Sequence, residues 1–186
     1  MCKRILIIAS SLFMLISCTR NEPLDSLIHK KYSQMTEIML DAAVRVDFGD
    51  RTVGFSVKYT CDPAGKGQIE VISPENIAGI VAEIGEGYEL KYQDTSLELG
   101  ALSGTGLSPL EFLPLMVSDW SSGYVTGSFY EKNQGQNLLV INYRSRRGET
   151  IFEHTACFTA DTLVPVIGEM YIGGTRAAEV RYEQKP

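Results

Sequence analysis

Hydrophobic and polar residues alternate along most of this chain, and the alternation is the feature that most restricts its fold. Residues 44–48 alternate in this way, and residues 53–59 repeat the pattern after a Gly49-Asp50 turn. A period of two is typical of β-strands that bury one face. Similar runs follow at residues 69–71, 80–84, 88–92, 125–129, 138–140, 151–158, 163–172 and 178–182. The sequence therefore predicts a protein built mainly from β-strands.

The breaks between most of these runs are short and contain glycine or polar residues, as at residues 85–87, 146–148 and 173–174. Parallel neighbours need crossover connections of a dozen or more residues, so connections this short join antiparallel strands. We predict one antiparallel meander of about nine to eleven strands. Because a sheet of that size twists and coils, we expect an α+β domain with a strongly curved sheet, an incomplete β-barrel.

One segment before the strands has helical spacing instead. Its polar residues, among them Lys30, Lys31 and Glu37, lie opposite its hydrophobic residues. Spacing of three and four residues is typical of an amphipathic helix, so we predict an N-terminal helix over residues 24–40. Its hydrophobic stripe consists of Leu24, Leu27, Ile28, Tyr32, Met35, Ile38 and Met39.

A second helix is predicted in the middle of the chain. Ser108, Pro109 and Glu111 form a capping-box arrangement, with serine before the helix, proline in its first position and glutamate three residues after the cap. The helix should continue to about Trp120. It has almost no polar face, so it must be covered on nearly every side. Its hydrophobic residues are Leu110, Phe112, Leu113, Leu115, Met116, Val117 and Trp120.

The first 17 residues have the form of a bacterial export signal. Lys3 and Arg4 precede a hydrophobic run that ends at the small residue Ser17. The run is shorter than the roughly 20 residues that a membrane-spanning helix needs. Residues 15–18, Leu-Ile-Ser-Cys, resemble the lipobox of bacterial lipoproteins. The resemblance implies that Cys18 is acylated and becomes the first residue of the mature protein. The alternative is an ordinary cleaved signal followed by an incidental cysteine.

This organisation predicts a signal peptide at 1–17, a lipidated cysteine and short tether at 18–23, and a single domain at 24–186. We expect the protein in the cell envelope, anchored by lipid on the non-cytoplasmic side of a membrane. The formal net charge is −6, and loss of Lys3 and Arg4 would change it to −8. Because a basic surplus is absent, nucleic-acid binding is disfavoured, and membrane contact should come from the acyl chains.

The order of elements resembles that of the LolA/LolB-type lipoprotein carriers and related lipid-carrying lipoproteins. The resemblance also includes residues 71–80, Val-Ile-Ser-Pro-Glu-Asn-Ile-Ala-Gly-Ile, and residues 107–110, Leu-Ser-Pro-Leu. It implies an incomplete barrel around an apolar cavity for acyl chains, with the 108–120 helix as plug or lid. The implied cavity residues are Phe55, Val57, Leu90, Tyr92, Leu110, Phe112, Leu113, Met116, Val117 and Trp120. No residue matches the arginine that the soluble carrier uses for cargo control, and the exposed apolar loop of the receptor form has no clear counterpart.

The sequence lacks the usual constellations of catalytic and cofactor-binding residues. Its histidines, His29 and His154, lie on separate predicted elements and form no metal-binding pair. Glu153 cannot orient His154 directly, because successive strand residues point to opposite faces. We therefore expect neither enzymatic activity nor a bound metal or cofactor.

Cys61 and Cys157 are the cysteines left for a disulfide after Cys2 is removed with the signal and Cys18 is acylated. We predict that they are bonded. A bond across 96 positions would restrict the unfolded chain by roughly 4 to 5 kcal/mol. Two separate buried thiols are the alternative.

Two functions remain from the sequence. The first is a membrane-anchored lipoprotein that binds a lipid or another hydrophobic ligand in the cavity of the half-barrel. The second is an envelope interaction module, in which the same curved sheet has a filled core and binds a protein partner. The sequence identifies no particular protein partner.

Overall fold

One antiparallel sheet of eleven strands dominates the computed structural model, which describes residues 23–47, 49, 51–92, 95–99 and 109–183. Two helices, α1 (Leu24–Ser33) and α2 (Pro109–Ser122), and a single 3-10 turn (Glu75–Ile77) complete the described secondary structure. The strands are β1 (Ile38–Asp47), β2 (Thr52–Cys61), β3 (Gly67–Ser73), β4 (Val81–Ile84), β5 (Tyr88–Tyr92), β6 (Thr95–Leu99), β7 (Val125–Asn133), β8 (Gln136–Arg147), β9 (Thr150–Thr159), β10 (Pro165–Ile172) and β11 (Thr175–Tyr182).

The sheet has the strand order β6-β5-β4-β3-β2-β1-β11-β10-β9-β8-β7. All neighbours are antiparallel, and only β1 and β11 are adjacent without being consecutive; Val44 lies opposite Val180 in that pair. Strands β6 and β7 form the two edges, so the sheet is curved but not closed. Helix α2 lies between these edge strands in the sequence. The predicted α+β fold, an incomplete barrel with an N-terminal helix and a central apolar helix, is confirmed.

The N-terminal helix is shorter than its hydrophobic spacing predicts. It ends at Ser33, and the last part of the predicted 24–40 segment belongs to β1. Ile38 and Met39 lie opposite Cys61 and Thr60 of β2. Hydrogen bonding to β2 therefore determines the conformation of residues 38–40, although their hydrophobic spacing favours a helix. The spacing of residues in one segment carries no information about which distant strand it pairs with.

The central helix agrees closely with its prediction. It extends from Pro109 to Ser122 and contains Pro114. The predicted cap Ser108 lies outside the described residues, as do the signal at 1–17, the acylation site Cys18 and tether residues 19–22. Among the residues that are described, no helix combines the length and apolar character needed to cross a membrane.

The hydrophobic core lies between α1, α2 and one face of the sheet, which we call the inner face. Strand β9 illustrates the alternation that builds it. Phe152, His154 and Phe158 are buried, whereas Glu153 is exposed. The Glu153 carboxylate accepts a hydrogen bond of 2.7 Å from Arg144 on the outer face. Glu153 therefore does not orient His154, as the strand period predicts.

Candidate functional site

Helix α2 occupies the inner face of the sheet. Five of its hydrophobic side chains are each at most 2% exposed, which is the burial expected of a packed core. A helix with this little polar surface is stable in water only when covered in this way. The five side chains are Phe112, Leu113, Met116, Val117 and Trp120.

Trp120 lies at the centre of an aromatic cluster. Its ring centroid is 5.0 Å from that of Tyr32 on α1, 5.4 Å from Phe158 on β9 and 5.5 Å from Tyr182 on β11. The last two contacts are edge-to-face, the arrangement that aromatic quadrupoles favour. The cluster therefore joins both helices to two strands of the sheet.

Two glycines make room for α2. A Cβ atom at Gly168 of β10 would lie 2.2 Å from Cε of Met116, so the missing side chain leaves space for the methionine. Gly65, in the β2–β3 turn, has φ +78° and would place a Cβ 2.6 Å from the Pro114 carbonyl oxygen. The same turn accepts a hydrogen bond of 2.7 Å at the Pro63 carbonyl from the Ser121 hydroxyl. Both the sheet and the turn are therefore shaped around the helix.

A buried polar contact also holds α2 to the sheet. Oδ2 of Asp119 accepts a hydrogen bond from the Ser145 hydroxyl and lies 2.8 Å from Nε2 of His154. The His154 side chain is fully buried and stacks on the Tyr143 ring at 4.6 Å. No local sequence pattern predicts this cluster, because Asp119 is 26 residues from Ser145 and 35 residues from His154 in the sequence.

The Asp119 cluster does not have the geometry of a catalytic triad. In a triad the histidine lies between the nucleophile and the carboxylate and accepts the proton of the nucleophile. Here Ser145 and His154 both contact the same carboxylate oxygen. The arrangement joins α2 to β8 and β9, and no hydrogen bond links Ser145 directly to His154.

The structure brings together only part of the predicted cavity wall. Val57 is buried, and Phe55 and Leu90 pack against the core with partial exposure. Tyr92 is 43% exposed, so it is not enclosed. The side chain of Leu110 lies outside the described residues. Where the resemblance implies an acyl cavity, the five buried side chains of α2 pack against the inner face.

Two of the open cavities on the surface of the described domain are large, and neither is lined by a described α2 residue. The smaller, which we call the apolar groove, has a volume of about 530 Å³ and lies between the end of α1, the start of β1 and the β9–β10 turn. Its lining residues are Lys31, Tyr32, Met35, Glu37, Ile38, Met39, Leu40, Asp41, Thr162, Val164, Pro165, Tyr182 and Glu183.

The larger cavity, which we call the acidic basin, has a volume of about 920 Å³. It lies where β2 to β5 meet their connecting turns, next to the residues that precede β1. Glu37 lines both cavities, so they are adjacent. Its lining residues are Thr36, Glu37, Thr60, Cys61, Asp62, Lys66, Gly67, Gln68, Glu83, Ile84, Gly85, Glu86, Gly87 and Glu89.

Polar contacts fix the base of the apolar groove. The Lys31 ammonium donates to the carbonyls of Thr162 and Leu163 at 2.8 and 2.9 Å, and the Tyr32 hydroxyl donates to Leu163 at 2.9 Å. Partial burial lowers the pKa of Lys31, and deeper burial raises the pKa of Tyr32. These contacts join α1 to the β9–β10 turn and hold together the two segments that form this side of the groove.

The predicted disulfide is wrong, since Cys61 and Cys157 are both free. Cys61 is buried on the inner face of β2, whereas Cys157 alternates with the buried Ala156 and Phe158 of β9 and therefore points outward. Strands β1, β11 and β10 separate the two. Four strand spacings of about 4.8 Å place them roughly 19 Å apart along the sheet, beyond the roughly 7 Å limit for a disulfide.

No group of three or more histidine, cysteine, aspartate or glutamate side chains is placed to hold a metal ion within the part of the chain that the structure describes. Burial raises the pKa of Cys61 and of Cys157 to about 11, so both thiols are protonated near neutral pH. A protonated thiol is a poor nucleophile and a poor metal ligand.

Comparisons with known proteins found similarity only among solved structures; no protein-family model and no curated protein matches the chain. A LolA superfamily protein from Nitrosomonas europaea has a TM-score of 0.47 at 8% identity and covers 86% of this chain and 91% of its own. A domain described as outer membrane lipoprotein-sorting, from Vibrio parahaemolyticus, has a TM-score of 0.46 at 9% identity and covers 86% and 89%.

A third structure is that of the CwlD amidase from Clostridioides difficile in complex with the GerS lipoprotein. It matches with a TM-score of 0.45 at 21% identity and covers 87% of this chain and 92% of the matched chain.

Proposed function

We propose that this protein is a lipid-anchored lipoprotein of the cell envelope that acts as a filled scaffold and binds a protein partner at its surface. The observation that carries the proposal is the packing of α2, whose five core side chains are at most 2% exposed. The inner face is then part of the folded core, and binding is left to the outer surface. The export signal and the lipobox at Cys18 support the envelope location.

Opening the inner face to an acyl chain would require α2 to leave the sheet. That movement would separate Met116 from the space at Gly168, break the contacts of Asp119 with Ser145 and His154, and uncover Trp120. Each buried hydrophobic side chain contributes about 1.5 to 3 kcal/mol. A lipid that comes from a bilayer leaves an apolar environment already, so its transfer does little to offset these losses.

Binding of a lipid or other hydrophobic ligand is a second candidate function, and the apolar groove favours it. Its volume of about 530 Å³ lies within the range of small-molecule sites. Met35, Ile38, Leu40 and Val164 give it apolar walls. A ligand in this groove would leave α2 in place, unlike the acyl-chain cavity that the resemblance implies.

One experiment separates the two candidates. In the first arm, the full-length protein is cross-linked in the cells that produce it and purified, and the cross-linked peptides are sequenced. In the second arm, purified protein that was not cross-linked is extracted with solvent, and the extract is examined for lipids by mass spectrometry. The scaffold proposal expects one identified protein joined through defined surface residues, and no lipid beyond the acyl groups on Cys18. An additional lipid at one molecule per chain, without a cross-linked protein, would contradict it and support the ligand-binding candidate.

A further inference from the structure

The apolar groove and the acidic basin form one continuous surface, because Glu37 lines both. We call this combined area the Glu37 surface. It borders the packed core, since the buried residues Tyr32, Cys61 and Tyr182 are among its lining, but no described α2 residue lines either part. It is therefore accessible to a partner without any movement of the core.

Carboxylates dominate the charge of this surface. Seven aspartates and glutamates line the two cavities, against the two lysines Lys31 and Lys66. Lys31 donates to two backbone carbonyls, and Lys66 lies 2.6 Å from the Glu86 carboxylate. Neither Glu37 nor Glu183 forms an ion pair with another described residue. The surface therefore attracts cationic groups and repels phosphates and anionic lipid head groups.

A metal ion fits this charge less well than a protein does. Glu83 is already 2.8 Å from the Lys91 ammonium, and the Asp62 carboxylate accepts hydrogen bonds of 2.9 Å from the backbone of Ala64 and Lys66. The described carboxylates also include no group of three placed around a common point. Glu37 and Glu183, which form no ion pair with another described residue, can instead each pair with a separate cationic side chain.

The groove half of the Glu37 surface is largely apolar. Met39 is 73% exposed, and Met35, Val164 and Pro165 form the adjoining wall of the groove. Methionine side chains are flexible and polarisable, so they adapt to the shape of a partner. Apolar side chains bordered by charged ones are common at protein–protein interfaces.

We propose that the Glu37 surface binds a protein segment that presents hydrophobic side chains flanked by lysine or arginine. The hydrophobic side chains occupy the apolar groove, and the cationic ones contact the carboxylates of Glu37 and Glu183. This proposal rests on the proposed function, because it supplies the surface at which the scaffold binds its partner.

The NMR signals of the methionine methyl groups can report where a peptide binds. Met35 and Met39 line the groove, whereas Met116 and Met170 are fully buried in the core. Full-length protein in nanodiscs of neutral lipid is labelled with ¹³C at the methionine methyl groups and titrated with the amide of Lys-Leu-Lys-Lys-Leu-Lys. We expect saturable shifts of the Met35 and Met39 signals and none of the Met116 and Met170 signals. The hexapeptide with glutamate in place of lysine should shift none of them.

Charge-matched variants test the location. Glu37→Gln with Glu183→Gln removes two carboxylates from the groove and should weaken peptide binding at least about fivefold. Glu131→Gln with Glu149→Gln changes the net charge equally at exposed positions elsewhere, and its affinity should stay within about twofold of the original protein. Equal weakening in both pairs, or no shift at Met35 and Met39, would overturn the proposal.

The same titration distinguishes this inference from the proposed function. Peptide-induced shifts at Met116 and Met170 would show that the inner face opens, which would contradict the filled scaffold as well. Unshifted methionines, together with an in-cell protein cross-link that maps to another surface, would overturn only the Glu37 surface.

Discussion

At the scale of single residues, glycines determine how closely α2 approaches its neighbours. Gly65 combines a left-handed backbone with a distance too short for a side chain next to Pro114. Gly135, in the β7–β8 turn, has φ +87°, and a Cβ atom there would have no neighbour within 4 Å. The two positions share the backbone requirement and differ only in the contact with α2, so they form a matched pair.

Gly65→Ala should therefore lower the free energy of unfolding by about 3 to 5 kcal/mol, from left-handed strain plus a clash with a backbone carbonyl. Gly135→Ala should lower it by only about 1 to 2 kcal/mol, because strain is its sole cost. Urea unfolding monitored by Trp120 fluorescence measures both. Equal losses would show that the β2–β3 turn does not need its close contact with α2.

The two free thiols give a second prediction at this scale. Denatured, unreduced protein should expose two reactive thiols per chain, Cys61 and Cys157, whereas a disulfide would expose none. Their pKa of about 11, against an ordinary value of 9.0, should make labelling of the folded protein at pH 8 about a hundredfold slower than that of an unperturbed thiol. Labelling rates followed by mass spectrometry test this.

The sign of the pH effect on stability follows from the same shift. A thiol whose pKa is raised by folding stabilises the folded state below its unfolded pKa of about 9. That contribution is lost as the pH rises through about 11. The double variant Cys61→Ala and Cys157→Ala should consequently lose less stability between pH 9 and 11 than the original protein does.

At the scale of elements, α2 is the part of the molecule on which the choice of function depends. Met116→Arg places a charge in a fully buried position and should lower the free energy of unfolding by about 3 to 5 kcal/mol. Met39→Arg, at a position that is 73% exposed, should change it by less than about 0.5 kcal/mol. Thermal unfolding of the two variants compares them directly.

Titration with oleic acid completes this prediction. Trp120 is enclosed by aromatic rings in the folded core, so its emission should stay unchanged. A saturable change in the original protein that Met116→Arg abolishes without loss of melting temperature would instead show an acyl site beneath α2.

The elements that sequence analysis predicted well have local determinants. The turn residues and the period of two located most strands, and Pro109 with Glu111 located α2. The predicted end of α1 at residue 40 was wrong, because the pairing of Ile38 with Cys61 is a contact between residues distant in the sequence. The Asp119–His154 contact and the separation of the cysteines also depend on the order of strands in the sheet, which no local pattern contains.

At the scale of the whole molecule, the proposed attachment to a membrane rests on the resemblance of residues 15–18 to a lipobox. Cys18→Ser should abolish acylation and shift the protein out of the detergent phase in phase partitioning. Intact-protein mass spectrometry should find acyl mass on the original protein alone. Cys157→Ser is the matched control and should keep both the acyl mass and the partitioning. Unchanged partitioning of Cys18→Ser would contradict the lipid anchor.

The pairing of β1 with β11 has a consequence for how the protein is made. These strands lie at opposite ends of the described chain, yet they join at the middle of the sheet and link its two halves. During synthesis or export from the N-terminus, β1 to β6 emerge long before β11. The central pairing of Val44 with Val180 can therefore form only after β11 has emerged, and contacts this distant in sequence make folding slow. Until then the edge of β1 that later pairs with β11 stays open, and an unpaired strand edge can pair with other chains.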